Sequence, residues 1–397
     1  KFFIKDELLV PEVGGDIRLK FPRGIQGLNK SETNMALGPF MHVVSKAFSS
    51  GFGETPYNYS SGRTPIEIGA WYRKYHDLGY EFYEDDFSSY DSTQGKGAHD
   101  AEMAVYRLFG VNGSVTNALK YQEKTYGRGD YHQYTCPFTR KSGDQNTSIG
   151  NTIINMMVHG WAIKLFEQQY GCKVDFAMLA LGDDNLLALK GINGEFCSFI
   201  TEQISKLGLK PKLINSGKFP TYCSSVFVPV IGPDNDTHWV LAPEMGRKLC
   251  KQGFTVSQLS RGTTPLQRLK ANELTNPLNN LMPISRVFSQ HYSMMKDVVA
   301  DGCGSDEWRA HAICSDAGYT VGLPTMEWFN ELYGLDATEV MQLEDFLRKH
   351  LQRAGDKPSL WNHRLIIKAI NTFRNRHTLQ PMESARVLNN APKTKTA

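Results

Sequence analysis

Nowhere does the chain carry an apolar run long enough to span a bilayer. Charged residues interrupt its first positions, which excludes a signal peptide at this point. The expectation is a soluble chain, reaching a membrane only through a segment not present here. Cysteine is scarce and odd in number: seven, at 136, 172, 197, 223, 250, 303 and 314. That scatter argues against a disulfide framework and fits a reducing compartment. No two cysteines have close metal-ligand spacing, so structural zinc is not expected. An excess of one charge is also lacking. The net charge is +3, so affinity for a polyanion would have to come from local clustering. One such cluster is Lys1, Lys5, Arg18, Lys20 and Arg23. Internal repeats are absent. With 397 residues, the chain can bury a sizeable core and hold two or three subdomains.

Alternation of apolar and charged positions around Gly14-Gly15 predicts two strands or extended arms joined by a turn. Residues 50–65, rich in Gly, Ser, Tyr and Pro, read as a loop, as do 125–140. A strand is predicted at Tyr80 to Tyr83, ending at Glu84-Asp85-Asp86, and a helix at 97–109 with Met103, Tyr106 and Phe109 on one face. The clearest helix is 147–166. Its expected apolar stripe is Ile149, Ile153 and Met157, widened by Ile154, Val158, Trp161 and Leu165. Two apolar strands then flank Gly182, followed by a helix at 196–207 and a strand at 221–230 stopped by Pro229. Beyond about 240 the pattern turns helical. At 337–354, Asp336 and Glu339 resemble a capping box, Leu343, Leu347 and Leu351 recur every four residues, and Gly355 follows. The polar tail, 376–397, predicts disorder.

Four segments carry chemistry. Asp86-Phe-Ser-Ser-Tyr-Asp91 ends a strand. Ser142-Gly143 starts a glycine turn that opens a helix bearing Thr147 and Asn151. Gly182-Asp183-Asp184 sits between two strands, where adjacent carboxylates repel unless a cation intervenes. The basic start supplies Lys5, Glu7, Lys20 and Arg23. Together they meet the demands of phosphoryl transfer. Two magnesium ions about 3.5–4 Å apart can clamp the attacking and leaving oxygens, and they prefer hard oxygen ligands. Asp86 and Asp183 fit as bridging carboxylates, with Asp184 in support. Arg23 suits bidentate contact with a leaving pyrophosphate, and Lys212 is a candidate proton donor. A ribose 2′-hydroxyl both donates and accepts, and Asp91, Thr147 and Asn151 are the residue types that would read it.

Each segment has a plainer reading. Alone, Gly182-Asp183-Asp184 is a turn, Asp86 and Asp91 favour a helix start, Ser142-Gly143 is a cap, and the basic cluster is a solvated face. Lys206, Lys210 and Lys218 compete with Lys212. Joint order and spacing outweigh these separate readings.

That order resembles motifs F, A, B and C of the RNA-dependent RNA polymerases of positive-strand RNA viruses: Lys5 to Arg23, Asp86 to Asp91, Ser142 to Asn151 and Gly182 to Asp184. The string Ser142-Gly-Asp-Gln-Asn-Thr-Ser-Ile-Gly-Asn151 looks most like the tombusvirus-like group. Residues 205–213 look like motif D, and Tyr222-Cys223-Ser224 like motif E, the primer grip.

The resemblance implies an α+β right hand with an antiparallel palm sheet. Fingers would be 1–79 and 97–140, palm 80–96 and 141–230, and a mostly helical thumb 231–375. It implies two Mg2+ or Mn2+ ions held by Asp86, Asp183 and Asp184, an RNA template and nascent strand, and ribonucleoside triphosphates bound by Lys5, Lys20, Arg23, Asp91, Ser142, Gly143, Thr147 and Asn151. Since the chain starts at motif F, a missing N-terminal fingers segment or an accessory subunit is a further expected partner. The host cytoplasm, at membrane-associated replication complexes, is the expected location. The alternatives are a reverse transcriptase, which normally has a bulky residue where Asp91 stands, and a non-catalytic RNA-binding replication protein.

Overall fold

The computed structural model describes residues 2–4, 24–26, 31–128, 133–192, 194–251, 281–295, 318–352, 363–369 and 371–372. In chain order these form β1 (Phe2–Ile4), β2 (Gly24–Gln26), α1 (Ser31–Ser50), β3 (Tyr57–Tyr59), α2 (Pro65–Asp77), β4 (Glu81–Asp85), α3 (Tyr90–Thr93), α4 (Lys96–Leu108), α5 (Gly113–Lys120), β5 (Lys124–Arg128), β6 (Gln133–Pro137) and α6 (Thr147–Tyr170). Then follow β7 (Asp175–Leu181), β8 (Asp184–Lys190), α7 (Phe196–Lys206), β9 (Leu213–Asn215), β10 (Thr221–Tyr222), β11 (Ser225–Ile231), β12 (Thr237–Pro243), α8 (Met245–Lys251), α9 (Ser285–Met294), α10 (Leu323–Tyr333) and α11 (Ala337–Gln352). Helices and a mainly antiparallel sheet are thus mixed, as an α+β class requires. The chain divides into two compact units, one holding 2–4, 24–26, 31–63 and the described residues of 74–223, the other 64–73 and the described residues from 224 onward.

The first unit is built on a five-stranded sheet ordered β3-β7-β8-β4-β9. β7, β8, β4 and β9 are antiparallel neighbours; β3 runs parallel to β7. Residues of β7 and β8 alternate between faces, as a two-residue repeat dictates. Met178, Ala180, Leu187 and Leu189 pack into the core with Ile149, Ile153 and Ala162 of α6 and Phe196 and Ile200 of α7. Ala177, Leu179, Leu186 and Ala188 on the opposite face are also fully buried. Burial on both faces explains why these strands read as unbroken apolar runs.

Four expectations are corrected here. Within 50–65, Tyr57–Tyr59 forms a strand, because its backbone pairs with Met178 to Ala180 far along the chain. Within 125–140, β5 and β6 pair antiparallel from Lys124↔Pro137 to Arg128↔Gln133. Gly127 permits this, since a Cβ there would lie 1.9 Å from the ring of Tyr134. On α6, Met157 and Trp161 are 43% and 40% exposed, and polar side chains occupy much of the buried surface instead. Finally, Pro229 lies inside β11, opposite Trp239, rather than stopping it. A proline is tolerated where its ring need not donate to a ladder, and its carbonyl accepts from Thr325 Oγ1 at 2.6 Å.

In the second unit, β11 and β12 pair along seven residues. Tyr72 stacks on Phe227 with ring centres 4.2 Å apart. Gly69 lies so close to the Trp239 carbonyl that a Cβ would meet it at 1.9 Å. The Asp336 capping box is present at the start of α11: Glu339 N donates to Asp336 Oδ1 and Asp336 N to Glu339 Oε2. Leu343, Leu347 and Leu351 are buried beneath it. In the first unit, β1 and β2 pair antiparallel, but Lys5, Glu7, Arg18, Lys20 and Arg23, Gly355 and the 376–397 tail lie outside the described residues.

Candidate active site

Strand directions gather the chemistry at one end of the five-stranded sheet. β7 rises to Leu181, turns through Gly182-Asp183, and descends as β8 from Asp184. Gly182 has φ 68°, so φ is positive at the first loop position only, as a type II′ hairpin turn requires. β4 is antiparallel to β8, with Asp85 opposite Asn185, so the next residue, Asp86, emerges beside Asp184. β9 enters at that same end, and Lys212, just before it, places Nζ 3.4 Å from Asp86 Oδ2. Of the lysines in 206–218, Lys212 is the one joined to Asp86 by an ion pair among the described residues. Asp86, Asp183 and Asp184 are exposed.

A buried frame on α6 holds these groups. Thr152 Oγ1 accepts from Gly182 N at 2.7 Å. Asn155 Nδ2 donates to the carbonyls of Gly182 and Asp183, at 3.1 and 3.2 Å, and its Oδ1 accepts from Asn185 Nδ2 at 2.9 Å. His159 Nε2 lies 3.1 Å from Asp85 Oδ2, and Asp85 Oδ1 accepts from Lys212 N. The two-residue turn is therefore gripped by side chains, since buried backbone groups need partners. These residues were missed in the sequence reading. The available signal was Asn151, Asn155 and His159, polar at every fourth position of an apolar helix.

Thr152 gives a direct check. Thr152→Val keeps the shape but strips Gly182 N of its acceptor, an expected loss of about 1–3 kcal/mol. Thr152→Ser keeps the oxygen and should melt close to wild type. Equal melting temperatures for wild type and Thr152→Val would refute this grip.

Asp91, at the start of α3, is held from two sides. Asn151 Nδ2 donates to Oδ1 at 2.9 Å and Ser142 Oγ to Oδ2 at 2.8 Å. Gly143, with φ 94°, makes the turn that carries Ser142 there. Tyr90, buried, donates to the carbonyl of Asn151 at 3.1 Å, tying this segment to α6. Thr147 does not join the pair: its hydroxyl donates to the Lys141 carbonyl at 2.7 Å. Behind Asn151 lies buried Arg140, whose Nε donates to Asn151 Oδ1 at 2.9 Å. Burial opposes the charge on Arg140, but the carboxylate of Glu102 outweighs it and holds the guanidinium above its ordinary value.

Cys223 and Ser224 both have positive φ, 49° and 60°, a tight conformation unusual for side-chain-bearing residues. Burial pushes the Cys223 thiol well above its usual value, and the nearby Asp184 carboxylate adds to the shift. Tyr222 OH and Ser60 Oγ share a 2.6 Å hydrogen bond that ties β10 to the end of β3.

A family model described as RNA dependent RNA polymerase matches residues 28–253, more than half of the chain. The chain belongs to that family. It is 26% identical over 136 residues to the replicase large subunit of Sunn-hemp mosaic virus, covering 32% of this chain and 8% of that protein. It is 29% identical over 110 residues to RNA-directed RNA polymerase 2a of Tobacco streak virus (strain WC), covering 27% of this chain and 13% of that protein. The aligned stretch is thus a small part of each relative's length. The likeness to positive-strand viral polymerases holds at the level of this polymerase family. Asp86, Asp91, Ser142, Asn151, Asp183, Asp184 and Lys212 all fall inside the stretch matched by the polymerase model, whereas Lys5, Lys20 and Arg23 precede it.

Among the described residues, no three His, Cys, Asp or Glu side chains close into a cage for an ion. The donor set nevertheless suits magnesium, which is commonly held by one or two carboxylates together with waters and substrate phosphates. Exposed aspartates at one sheet end are donors of that kind. No helix among the described residues is long and apolar enough to cross a membrane.

Proposed function

We propose that the chain is the catalytic part of a viral RNA-directed RNA polymerase, adding ribonucleotides to an RNA 3′ end with release of pyrophosphate. One observation carries the reading: Asp86 follows directly on the strand paired with the Asp184 strand, at the end where Asp183 turns. Family membership favours neither the reverse transcriptase nor a non-catalytic RNA-binding protein.

Asp86, Asp183 and Asp184 would hold two Mg2+ or Mn2+ ions, which when bound stabilise charge on the attacking and leaving oxygens. Lys212 Nζ is the group assigned to give a proton to the leaving pyrophosphate oxygen. Its ion pair with Asp86 is exposed and weak, so the amine is free to turn toward a phosphate. Lys5, Lys20 and Arg23 are assigned to the triphosphate, and Cys223 with Ser224 to the primer strand. Asp91, steadied by Asn151 and Ser142, keeps acceptor capacity for a ribose 2′-hydroxyl. Gly143 shapes the turn that brings Ser142 to Asp91, and Thr147 braces that turn through the Lys141 carbonyl.

The right-hand division belongs to the same reading: fingers at 1–79 and 97–140, palm at 80–96 and 141–230, thumb at 231–375. So do an accessory subunit as a further partner, and a site of action at membrane-associated complexes in the host cytoplasm.

The test is extension of an RNA template with labelled nucleotides, with and without Mg2+. Incorporation that requires both the template and the divalent ion is expected. Template binding without incorporation under any divalent ion would favour the non-catalytic reading.

A further inference from the structure

The amide of Asn151 has two ends of nearly the same shape and opposite polarity. Only one orientation lets it support Asp91. With Nδ2 toward the carboxylate, a donor meets an acceptor; with Oδ1 there, two acceptors would face each other. Asp91, an acceptor, favours the first orientation from one side; Arg140 fixes it from the other, because a guanidinium has donors and no acceptor. Its Nε, 2.9 Å from Oδ1, leaves Nδ2 for Asp91, also at 2.9 Å.

Arg140 is in turn fixed by Glu102. Its Nη2 lies 2.6 Å from Glu102 Oε2 and its Nη1 3.2 Å from Oε1. Glu102 also accepts from Asn146 Nδ2 at 2.7 Å and from the hydroxyl of Tyr106. Both members of the pair are buried, at 6% and 2% side-chain exposure. Gly150 makes the approach possible: a Cβ on it would lie 2.3 Å from Glu102 Oε1 and 2.8 Å from Arg140 Nη2. A buried ion pair is often no more stabilising than well-packed apolar residues. Its geometry here points to orientation rather than stability.

We propose that Arg140, held by Glu102, is a positioning residue for sugar selection: it sets which end of the Asn151 amide faces Asp91. The proposal rests on the assignment of Asp91 and Asn151 to the ribose 2′-hydroxyl. Arg140→Lys separates it from a general structural role. Lysine keeps a positive charge against Glu102, but a single ammonium cannot reproduce both the fork to Glu102 and the lateral donor to Asn151. With that donor gone, Asn151 Oδ1 loses its partner, the amide is held from the Asp91 side alone, and Asp91 loses a fixed partner.

The experiment measures kcat/KM for a ribonucleoside triphosphate and its 2′-deoxy analogue on one RNA template. Wild type, Arg140→Lys, Gly150→Ala and Asp91→Ala are compared, each with its melting temperature. The expected result is a ribo-over-deoxy ratio about tenfold lower in Arg140→Lys, the size of one lost charge-assisted hydrogen bond. Gly150→Ala, which disturbs the pair from the helix side, should lower it as well, and carries the test if Arg140→Lys does not fold. A ratio unchanged in Arg140→Lys and Gly150→Ala but lowered in Asp91→Ala overturns this proposal alone. So does an equal fall in both rates, the mark of a merely structural role. A ratio unchanged in Asp91→Ala as well overturns the ribose assignment beneath it.

Discussion

Asp183→Ala is expected to lower ribonucleotide incorporation by at least about 1,000-fold, with little change in melting temperature. The carboxylate removed is one assigned to bridging both ions, a role worth several kcal/mol of transition-state stabilisation, and each 1.4 kcal/mol or so is a factor of ten. Asp183 is exposed at the tip of the β7–β8 turn. The backbone carbonyl that Asn155 grips survives the substitution. Relief of repulsion from Asp184 also offsets part of any loss, so the fold should change by no more than about 0.5 kcal/mol. Single-turnover extension with a thermal melt on the same preparation decides the matter. Full incorporation by a folded Asp183→Ala protein would end the proposal that this turn is the reaction centre.

The second large effect is on sugar choice. Wild type should prefer ribo- to deoxynucleotides, and Asp91→Ala should lower that preference by roughly 10- to 150-fold, the worth of a hydrogen bond to a charged group at about 1.5–3 kcal/mol. The cost should fall on the ribonucleotide rate. The deoxynucleotide has no 2′-hydroxyl to lose, whereas a site built around that hydroxyl leaves polar groups unpaired without it. Asn151→Ala should shift the ratio in the same direction by less, because Ser142 still donates to Asp91 Oδ2. Competing the two nucleotides on one RNA template reads the ratio directly. A wild type indifferent to the sugar would return the reverse transcriptase to consideration.

Elements whose hydrogen bonds are local, or whose apolar pattern is long, were legible in the sequence. α6, α7 and α4 announced themselves by periodicity, β7 and β8 by unbroken apolar runs, and the Asp336–Glu339 box by its spacing. β3 was not legible: three residues in a Gly, Ser and Pro setting become a strand only through β7, about 120 positions away. The β5–β6 hairpin hid behind Gly127, which looks like a loop residue but makes room for Tyr134. The same division runs through the site. Asp86, Asp91, Asn151 and Asp183 stood out as motif letters, and the Asp91–Asn151 bond follows from them. Asp85, Thr152, Asn155 and His159 are ordinary letters in a strand and a helix, and only tertiary packing shows that Thr152 and Asn155 hold the turn while His159 meets Asp85. Arg140 and Glu102, 38 positions apart, carry no mark of their pairing.

Because β4, β7, β8 and β9 alternate in direction, Asp86, Asp183 and Asp184 lie at one end of the sheet and not at the other. β7 begins at exposed Asp175 and β8 finishes at exposed Lys190, both seven residues from the Gly182–Asp183 turn. At about 3.3 Å per residue that is on the order of 20 Å of strand. The connection leaving Lys190, where Gly191 already takes φ 71°, is thus a natural port for engineering. A peptide tag or fluorophore inserted there would anchor the molecule to a surface for single-molecule observation, leaving open the opposite end, the one proposed for template and nucleotide.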